Sequence, residues 1–382
     1  MHKTKKIILF VETATTYGRE LVYGIAKYSR FHGPWEFYNE SFAKDKVAHK
    51  LDDWGADGII IRVSKRTKEL LKMGLPTIFS PCFEPPMDGL PNIIPDDQAI
   101  AEMAAEHLLS QGFKKFAFCG FDKMDWSHER GVSFSKRVAE AGYETFLYIP
   151  PKSKGALSWE KEQGHMSKWL KSLPKPIGLM ACDDNRGQHV LEACKLANLY
   201  IPEEVAVVGV DNDRLICTLA APPLSSIALN IEKGGYEAAK LLDQLMAGKK
   251  VSDQKILVHP THVVIRQSTN TLAIEDANVA QAVRFIRKHA REMIQVDRVV
   301  EEVAVSRRTL QQKIQKTLGH SIHREICRAR LDQIIQLLIQ TNEPISRIAV
   351  VLNYANIEHL NRFFKKETGM SPVKYRRQFE SK

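Results

Sequence analysis

The sequence predicts a doubly wound α/β segment over about the first 260 residues, followed by an all-α segment that carries two helix-turn-helix motifs. Three observations carry this expectation. From Lys6 onward, short apolar runs alternate with runs of helical period. Near the C-terminus one arrangement occurs twice: an apolar-periodic stretch, a tight turn, and a second stretch polar on its outer side. Residues 275–382 hold 20 Lys and Arg against 12 Asp and Glu, so +8 of the formal net charge of +10 lies there. A basic region is commonly just a solvated face. Its coincidence with the doubled motif points instead to a footprint for phosphates.

The chain has 382 residues, 44% of them hydrophobic, enough for two or three domains with a substantial core. Its six cysteines, at positions 82, 119, 182, 194, 217 and 327, form no CxxC pair and accompany no histidine cluster. That argues against a disulfide framework and a zinc site, and fits a reducing compartment. The start is basic, but the apolar run behind it, residues 7–11, is shorter than a secretory signal requires. No stretch approaches the ~20 apolar residues that span a bilayer. The expectation is a mature cytoplasmic protein with no membrane contact, no metal and no cofactor.

In the α/β part, residues 6–11 (KIILFV) read as a buried parallel strand. Leu21, Val22, Ile25 and Ala26 then fall at helical spacing. Residues 35–38, 58–63 and 76–80 are strand-like, and 44–54 and 65–73 are helix-like. Pro95-Asp96-Asp97 opens a helix with an acidic cap and apolar positions at Ala101, Ala104, Ala105 and Leu108, and Gly112 ends it. Residues 114–119, 177–181 and 205–210 are further strands, and 234–246 a further helix. In such folds, ligand chemistry collects beyond the carboxyl ends of strands.

Residues 267–276 (QSTNTLAIED) are polar and read as a linker too short for free tumbling. This sets domains at 1–268 and 278–382, with 269–277 between them. Asp276 or Asn278 caps a helix with Val279, Val283, Ile286 and Ala290 on one face. The two motifs then span residues 296–316 and 344–367. In the first, Ala304-Val305-Ser306 is the turn, with Leu310 and Ile314 inward. In the second, Ile345, Ile348, Ala349 and Leu352 precede Asn353-Tyr354-Ala355-Asn356, with Leu360, Phe363 and Phe364 inward. Ile322, Ile326, Leu331, Ile334, Ile335 and Leu338 form one stripe on a long helix between the motifs. Packed against both, that helix would hold the reading helices about 34 Å apart, one turn of B-DNA.

Outward residues supply the reading chemistry. In the first motif these are Arg307, Arg308, Gln311 and Gln312; in the second, Asn356, Glu358, His359, Asn361 and Arg362. Arg bridges guanine's two acceptors, Gln matches adenine's donor–acceptor pair, and Glu accepts from cytosine. Lys365, Lys366 and Arg376 hold phosphates or are merely solvated.

Two resemblances sharpen this reading. Ala105-Glu106-His107-Leu108-Leu109 with Gly112, Arg130 with Phe134, Cys182-Asp183-Asp184, residues 201–211 (IPEEVAVVGVD) and residues 264–269 (VIRQST) together resemble the sugar-binding core of LacI-type regulators. The resemblance implies a two-lobed, periplasmic-binding-protein-like α/β domain, crossed by three strands, that closes on a ligand. Carboxylates, Arg and Asn suit sugar hydroxyls, and aromatic faces suit sugar C–H surfaces. By that match Arg130, Asp184 and Asp211 contact ligand. Tyr17, Arg19, Asp96, Trp126 and Asn185 are further candidates, although Asp96 also suits a plain helix cap, Arg19 a solvated position and Trp126 a core position.

Leu318-Gly319-His320-Ser321-Ile322, Arg328-Ala329-Arg330-Leu331, Asn342-Glu343-Pro344-Ile345, residues 364–372 (FKKETGMSP) and Tyr375-Arg376 resemble the DNA-binding domain of AraC/XylS-type regulators. Two positions depart from that family, which usually places glycine in each turn where this chain has Ala304 and Asn353. Asn tolerates a left-handed backbone and Ala does not, so strain is expected at the first turn. The order of the parts, with Tyr17-x-Arg19, Trp126-x-x-Glu129-Arg130 and Val210-Asp211-Asn212, resembles pentose-responsive regulators. It implies a transcription activator that binds D-xylose or another pentose and double-stranded promoter DNA, as a homodimer engaging RNA polymerase. A repressor, a different monosaccharide, a sugar carrier and an enzyme are the alternatives. No nucleophile–base arrangement, phosphate loop or metal set supports the last.

Overall fold

The central strands are buried on both faces, as strands covered by helices on both sides must be. In β1 (Lys5–Phe10) and β3 (Gly58–Ile61), Ile7, Ile8, Ile59, Ile60 and Ile61 have no accessible surface. The computed structural model describes residues 4–39, 54–62, 67–82, 85–150, 158–249, 255–270, 274, 276–341 and 343–379. The chain divides into two units, Met1–Thr271 and Leu272–Lys382. Helix-like residues 44–53 lie outside the described residues.

Among the described residues, the first unit holds two sheets of six strands. One contains β1, β2 (Trp35–Asn39), β3, β4 (Thr77–Phe79), β5 (Asn92–Pro95) and β11 (Lys255–Val258), ordered β11-β5-β4-β3-β1-β2 and wholly parallel. The other is ordered β12-β10-β9-β8-β6-β7, from β6 (Phe116–Cys119), β7 (Thr145–Leu147), β8 (Ile177–Ala181), β9 (Val205–Val210), β10 (Ser225–Leu229) and β12 (Pro260–Val264). Only β12 in it runs antiparallel to its neighbour, β10.

Helices flank each sheet: α1 (Thr16–His32), α2 (Thr67–Lys72), α3 (Asp97–Ser110), α4 (Asp125–Glu140), α5 (Trp159–Ser172), α6 (Asp184–Ala197), α7 (Arg214–Leu219) and α8 (Ile231–Met246). Where α1 crosses α8 the backbones touch. A Cβ on Gly24 would sit 1.9 Å from the Glu232 carbonyl oxygen, and one on Gly235 2.1 Å from that of Leu21. Only glycine permits this approach.

The chain passes between the lobes three times: at Asp96, at Asn230 and at His259. Asp96 N–H donates to Val258 O and Asn230 N–H to His259 O, both at 3.0 Å. The expected linker begins too early. Gln267–Thr269 is a 3₁₀ turn of the first unit, with Ser268 and Thr269 fully buried and Ser268 donating to Val207 O at 2.6 Å.

The second unit comprises α9 (Ala277–Lys288), α10 (Val296–Val303), α11 (Arg307–Leu318), α12 (Ile322–Gln340), α13 (Ile345–Val351), α14 (Ile357–Thr368) and α15 (Pro372–Phe379). Asp276 caps α9 by accepting from the Asn278 and Val279 N–H groups. The single stripe expected on α12 divides between two cores. Ile322, Ile326 and Ala329 pack with Val279, Val283, Val299, Leu310 and Ile314. Ile334 and Leu338 pack with Ile348, Leu352, Leu360 and Phe364. Residues 311–320 and 361–370 show the same succession of buried and exposed positions, so the doubled motif is a structural repeat. Among the described residues, no helix is long and apolar enough to cross a membrane.

Candidate ligand cleft and nucleic-acid interface

The carboxyl ends of β1, β3 and β4 meet those of β6, β8 and β9 across a cleft, and side chains from both lobes face one another there. Arg130, on α4, is 3% exposed. Its Nε donates to Asp97 Oδ1 at 2.7 Å and its Nη1 to Cys182 O at 2.5 Å, while its guanidinium lies 4.9 Å from the Trp126 ring centre. Trp126 in turn donates Nε1–H across the cleft to Cys82 O at 3.0 Å.

Asp211 follows β9 with a backbone φ of 94°. That region is unfavourable for a residue with a Cβ and is the kind of strain that clusters at functional sites. Arg266 supports this turn, donating to Asn212 Oδ1 at 2.7 Å and to Leu224 O at 2.9 Å. Burial raises the Asp211 carboxyl above its usual range, opposed by the charges of Arg130 and Arg62. Asp97 is likewise raised by burial, against the pull of Arg130. Asp183 is pushed up to about 6 by burial.

The opposing wall contains two residues that the sequence reading missed. Arg62 lies with its guanidinium 4.0 Å from the Tyr17 ring centre, donates to Ser80 Oγ at 3.2 Å and pairs with Glu12 at 3.3 Å. Arg62 and Glu12 both stand just past strand ends, the position that had singled out Asp211. Tyr17 is 3% exposed, and burial pushes its hydroxyl up to about 12.

Of the other expected ligand residues, Asp184, Asp96 and Arg19 make structural contacts of their own. Asp184 is 2% exposed beneath the loop after β9, accepting from the Asp213 N–H at 2.6 Å and the Cys217 thiol at 3.3 Å. It supports that loop, and burial together with Asp211 raises its carboxyl well above the usual range. Asn185 is exposed on α6. Asp96 caps α3 through the Ala99 N–H and pairs with His259 at 2.8 Å, so it belongs to the lobe crossing. Arg19 secures the loop before α1 through Thr13 O and Ala14 O, and reaches Asp213 of the other lobe at 3.3 Å. Asp213 also accepts from the Thr16 N–H at 3.1 Å, a second bridge between lobes.

In the second unit, Ser306 caps α11 by accepting from the Thr309 N–H at 3.1 Å. Ala304 takes a left-handed backbone (φ 56°, ψ 37°), as does Asn353 (φ 54°). The first turn therefore carries the strain expected of it. Asn356 is the cap of α14, accepting from the His359 N–H at 2.9 Å, which engages the side chain expected to read a base. Gln311 is half-buried and accepts from the Ile322 N–H at 3.4 Å, and Arg307 pairs with Asp297 at 2.9 Å. Arg308, Gln312, Glu358, His359 and Arg362 are exposed on α11 and α14, and Asn361 is half-buried.

Comparison with known proteins agrees with both halves. Residues 105–269 match the periplasmic binding protein-like domain family, and residues 299–378 a helix-turn-helix domain family. The chain is 30% identical to the xylose operon regulatory protein of Escherichia coli K12 over 383 residues, covering 98% of this chain and 97% of that protein. It is 34% identical to the protein of the same name from Haemophilus influenzae over 390 residues, covering 97% and 98%. Among solved structures, the xylose-binding transcription activator xylR superposes with a TM-score of 0.85 at 30% identity, over 100% of both chains. A LacI-type regulator from Alkaliphilus metalliredigens, solved with D-xylulofuranose, matches in fold over 70% of this chain, with a TM-score of 0.56. A sugar-binding-type lobe pair followed by two helix-turn-helices, matched from end to end, places this chain in the family of the xylose operon regulatory proteins.

Proposed function

We propose that the protein is a transcription activator that takes D-xylose or a closely related pentose between its lobes and binds promoter DNA with its C-terminal unit. The observation that carries this is the end-to-end match to regulators named for xylose, with both parts in the same order. The cleft chemistry agrees. Arg130, Asp211, Arg62 and Glu12 offer charged donors and acceptors to sugar hydroxyls, and Trp126 and Tyr17 offer aromatic faces. Arg308, Gln312, Glu358, Asn361 and Arg362 are assigned to base edges, and Lys365 and Lys366 to phosphates.

Sugar shifts the population toward closed lobes only to the extent that it binds the closed state more tightly. The closed state changes how two subunits of a homodimer present their DNA-binding units to the promoter and to RNA polymerase. The role is regulatory, with no chemical step. Calorimetric titration with D-xylose, L-arabinose, D-ribose and D-glucose tests the sensor half. Gel shifts on promoter fragments across a salt series test the output half, because phosphate-driven binding weakens steeply with salt. Failure of every pentose to bind would overturn the reading, and a reporter gene repressed by xylose would replace activation with repression.

A further inference from the structure

Among the described residues, the two cores of the C-terminal unit share none. The first ends on α12 at Ala329 and the second begins there at Leu331, so Arg330 stands at the boundary between them. Although charged, Arg330 is only 6% exposed. Its Nη1 donates to the carbonyl oxygen of Glu292, which precedes α10 in the first half, and its Nη2 donates to Leu352 O at 3.0 Å, at the turn of the second motif. The guanidinium lies over the Tyr354 ring at 4.5 Å. Asn353, in the same turn, donates Nδ2–H to Arg291 O at 3.2 Å. Two side chains thus tie the loop before α10 to the turn before α14. A buried guanidinium that donates to carbonyls from both halves is costly to move, because the Leu352 carbonyl left behind would be a buried acceptor without its partner.

We infer that Arg330, assisted by Asn353, is the positioning residue that sets the separation and angle of α11 and α14, so that the unit reads two major-groove segments at one fixed spacing. The inference rests on the proposed DNA reading. Its energetic content is effective concentration. Two modules held in matching geometry bind a correctly spaced site far more tightly than either alone, and the gain disappears when the geometry no longer fits. Without the clasp, α12 still connects the halves, but the second reading helix samples several orientations. Correctly spaced DNA then loses affinity, while misspaced DNA loses less or gains.

The test uses the full chain. A random duplex library selected on the wild-type protein supplies the DNA, and interference footprinting locates the two contacted segments. Derivatives carry one, two or about 5 inserted base pairs between the segments, the last being half a helical turn. Binding is measured for wild type, Arg330→Met and Asn353→Gly. The second variant keeps a left-handed backbone that glycine favours and removes only the bond to Arg291. The expected result is a steep spacing dependence for wild type. For Arg330→Met it is a roughly 10-fold or greater loss on the selected spacing with a flattened dependence, and for Asn353→Gly a smaller change in the same direction. Variants that stay folded by circular dichroism and keep the wild-type ratio between spacings would overturn the inference, leaving Arg330 a residue of stability only. If Arg330→Met does not fold, Asn353→Gly decides on the same ratio. Wild type that selects DNA but shows no spacing dependence would also overturn it. Failure to select any DNA would overturn the DNA reading itself, and the inference with it.

Discussion

Trp126 donates its indole N–H to the Cys82 main-chain oxygen at 3.0 Å, and in doing so joins α4 of one lobe to the loop after β4 of the other. The same indole covers Arg130. One side chain therefore both lines the cleft and bonds the two lobes to each other. Trp126→Phe keeps the aromatic face and removes the bond. Its expected cost is about 1 kcal/mol of closed-state stability, near a fivefold weaker sugar affinity. Calorimetry with D-xylose checks this, and an unchanged Kd would mean the bond does not contribute to closure.

Arg130 and Asp211 separate from Asp184 by what each faces. Arg130→Ala is expected to abolish measurable xylose binding. It also destabilises the first unit by about 3 kcal/mol, because Asp97 is left buried without its partner. Asp211→Asn weakens binding at least tenfold. Asp184→Ala acts on the loop after β9 instead: it lowers the unfolding midpoint by an amount equivalent to roughly 1–3 kcal/mol and changes the Kd of the folded protein little. Thermal unfolding beside titration distinguishes the two patterns. A lost site in Asp184→Ala without lost stability would return that residue to the ligand.

The raised carboxyl of Asp183 makes stability depend on pH. Its folded pKa of about 6 lies above the ordinary 3.8, so between those values the folded protein holds a proton that the unfolded chain has released. Stability therefore falls as pH rises through that window, by up to about 3 kcal/mol for this group. Asp97 and Asp211, raised in the same direction, add to the trend. Asp213, whose carboxyl is held down by hydrogen bonds from Thr16, Ile216 and Leu215 despite its burial, opposes it. Asp183 also caps α6 through the Arg186 N–H, a role Asn fills equally well. Asp183→Asn should therefore raise the urea midpoint at pH 7.5 and leave it unchanged near pH 4. An equal effect at both would remove titration as the cause.

Ala304 holds a backbone conformation that its Cβ disfavours. Ala304→Gly relieves that strain at the cost of a more flexible unfolded chain. The expected net stabilisation of the C-terminal unit is roughly 0.5–1 kcal/mol. Scanning calorimetry would show it as a higher transition for that unit, and a lower one would mean the turn is not strained.

Asn356 is expected to act as a cap and not as a reader. Asn356→Ser keeps the capping oxygen and should preserve DNA affinity within about threefold. Arg362→Ala removes an exposed reading side chain and should weaken specific binding by roughly 1–3 kcal/mol. A gel-shift series on one selected site compares them directly.

Much of this architecture was legible in the sequence, for identifiable reasons. Apolar runs such as residues 205–210 have no soluble alternative to a buried strand, and the spacing of Leu310 and Ile314 admits only one inward face. Chemistry at strand ends was less legible. Asp183 and Asp184 both follow β8, and apolar patterning does not say which one turns inward. Asp184 goes under the loop after β9, and Asp183 becomes the cap nearer Arg130. Arg62 is hidden in the sequence because the apolar run continues on both sides of it, from Gly58 to Val63. Arg330 stands in the sequence only as part of a motif, because a charged residue on a helix carries no local sign of burial. Its burial depends on carbonyl oxygens about 20–40 positions away, a partnership that side-chain patterning does not encode.

The three passages between the lobes bear on how the chain emerges from the ribosome. The first lobe begins at β1 but is finished only by α8 and β11, at Val258. The second is closed by β12 and the buried turn at Ser268 and Thr269. Until then β5 presents an open edge and α1 lacks the helix whose backbone it touches. Both lobes thus receive their last pieces close together in the chain, by Val258 and by Thr269. Neither lobe can complete its sheet until the last strands of the first unit have been made, and these immediately precede the second unit in the chain.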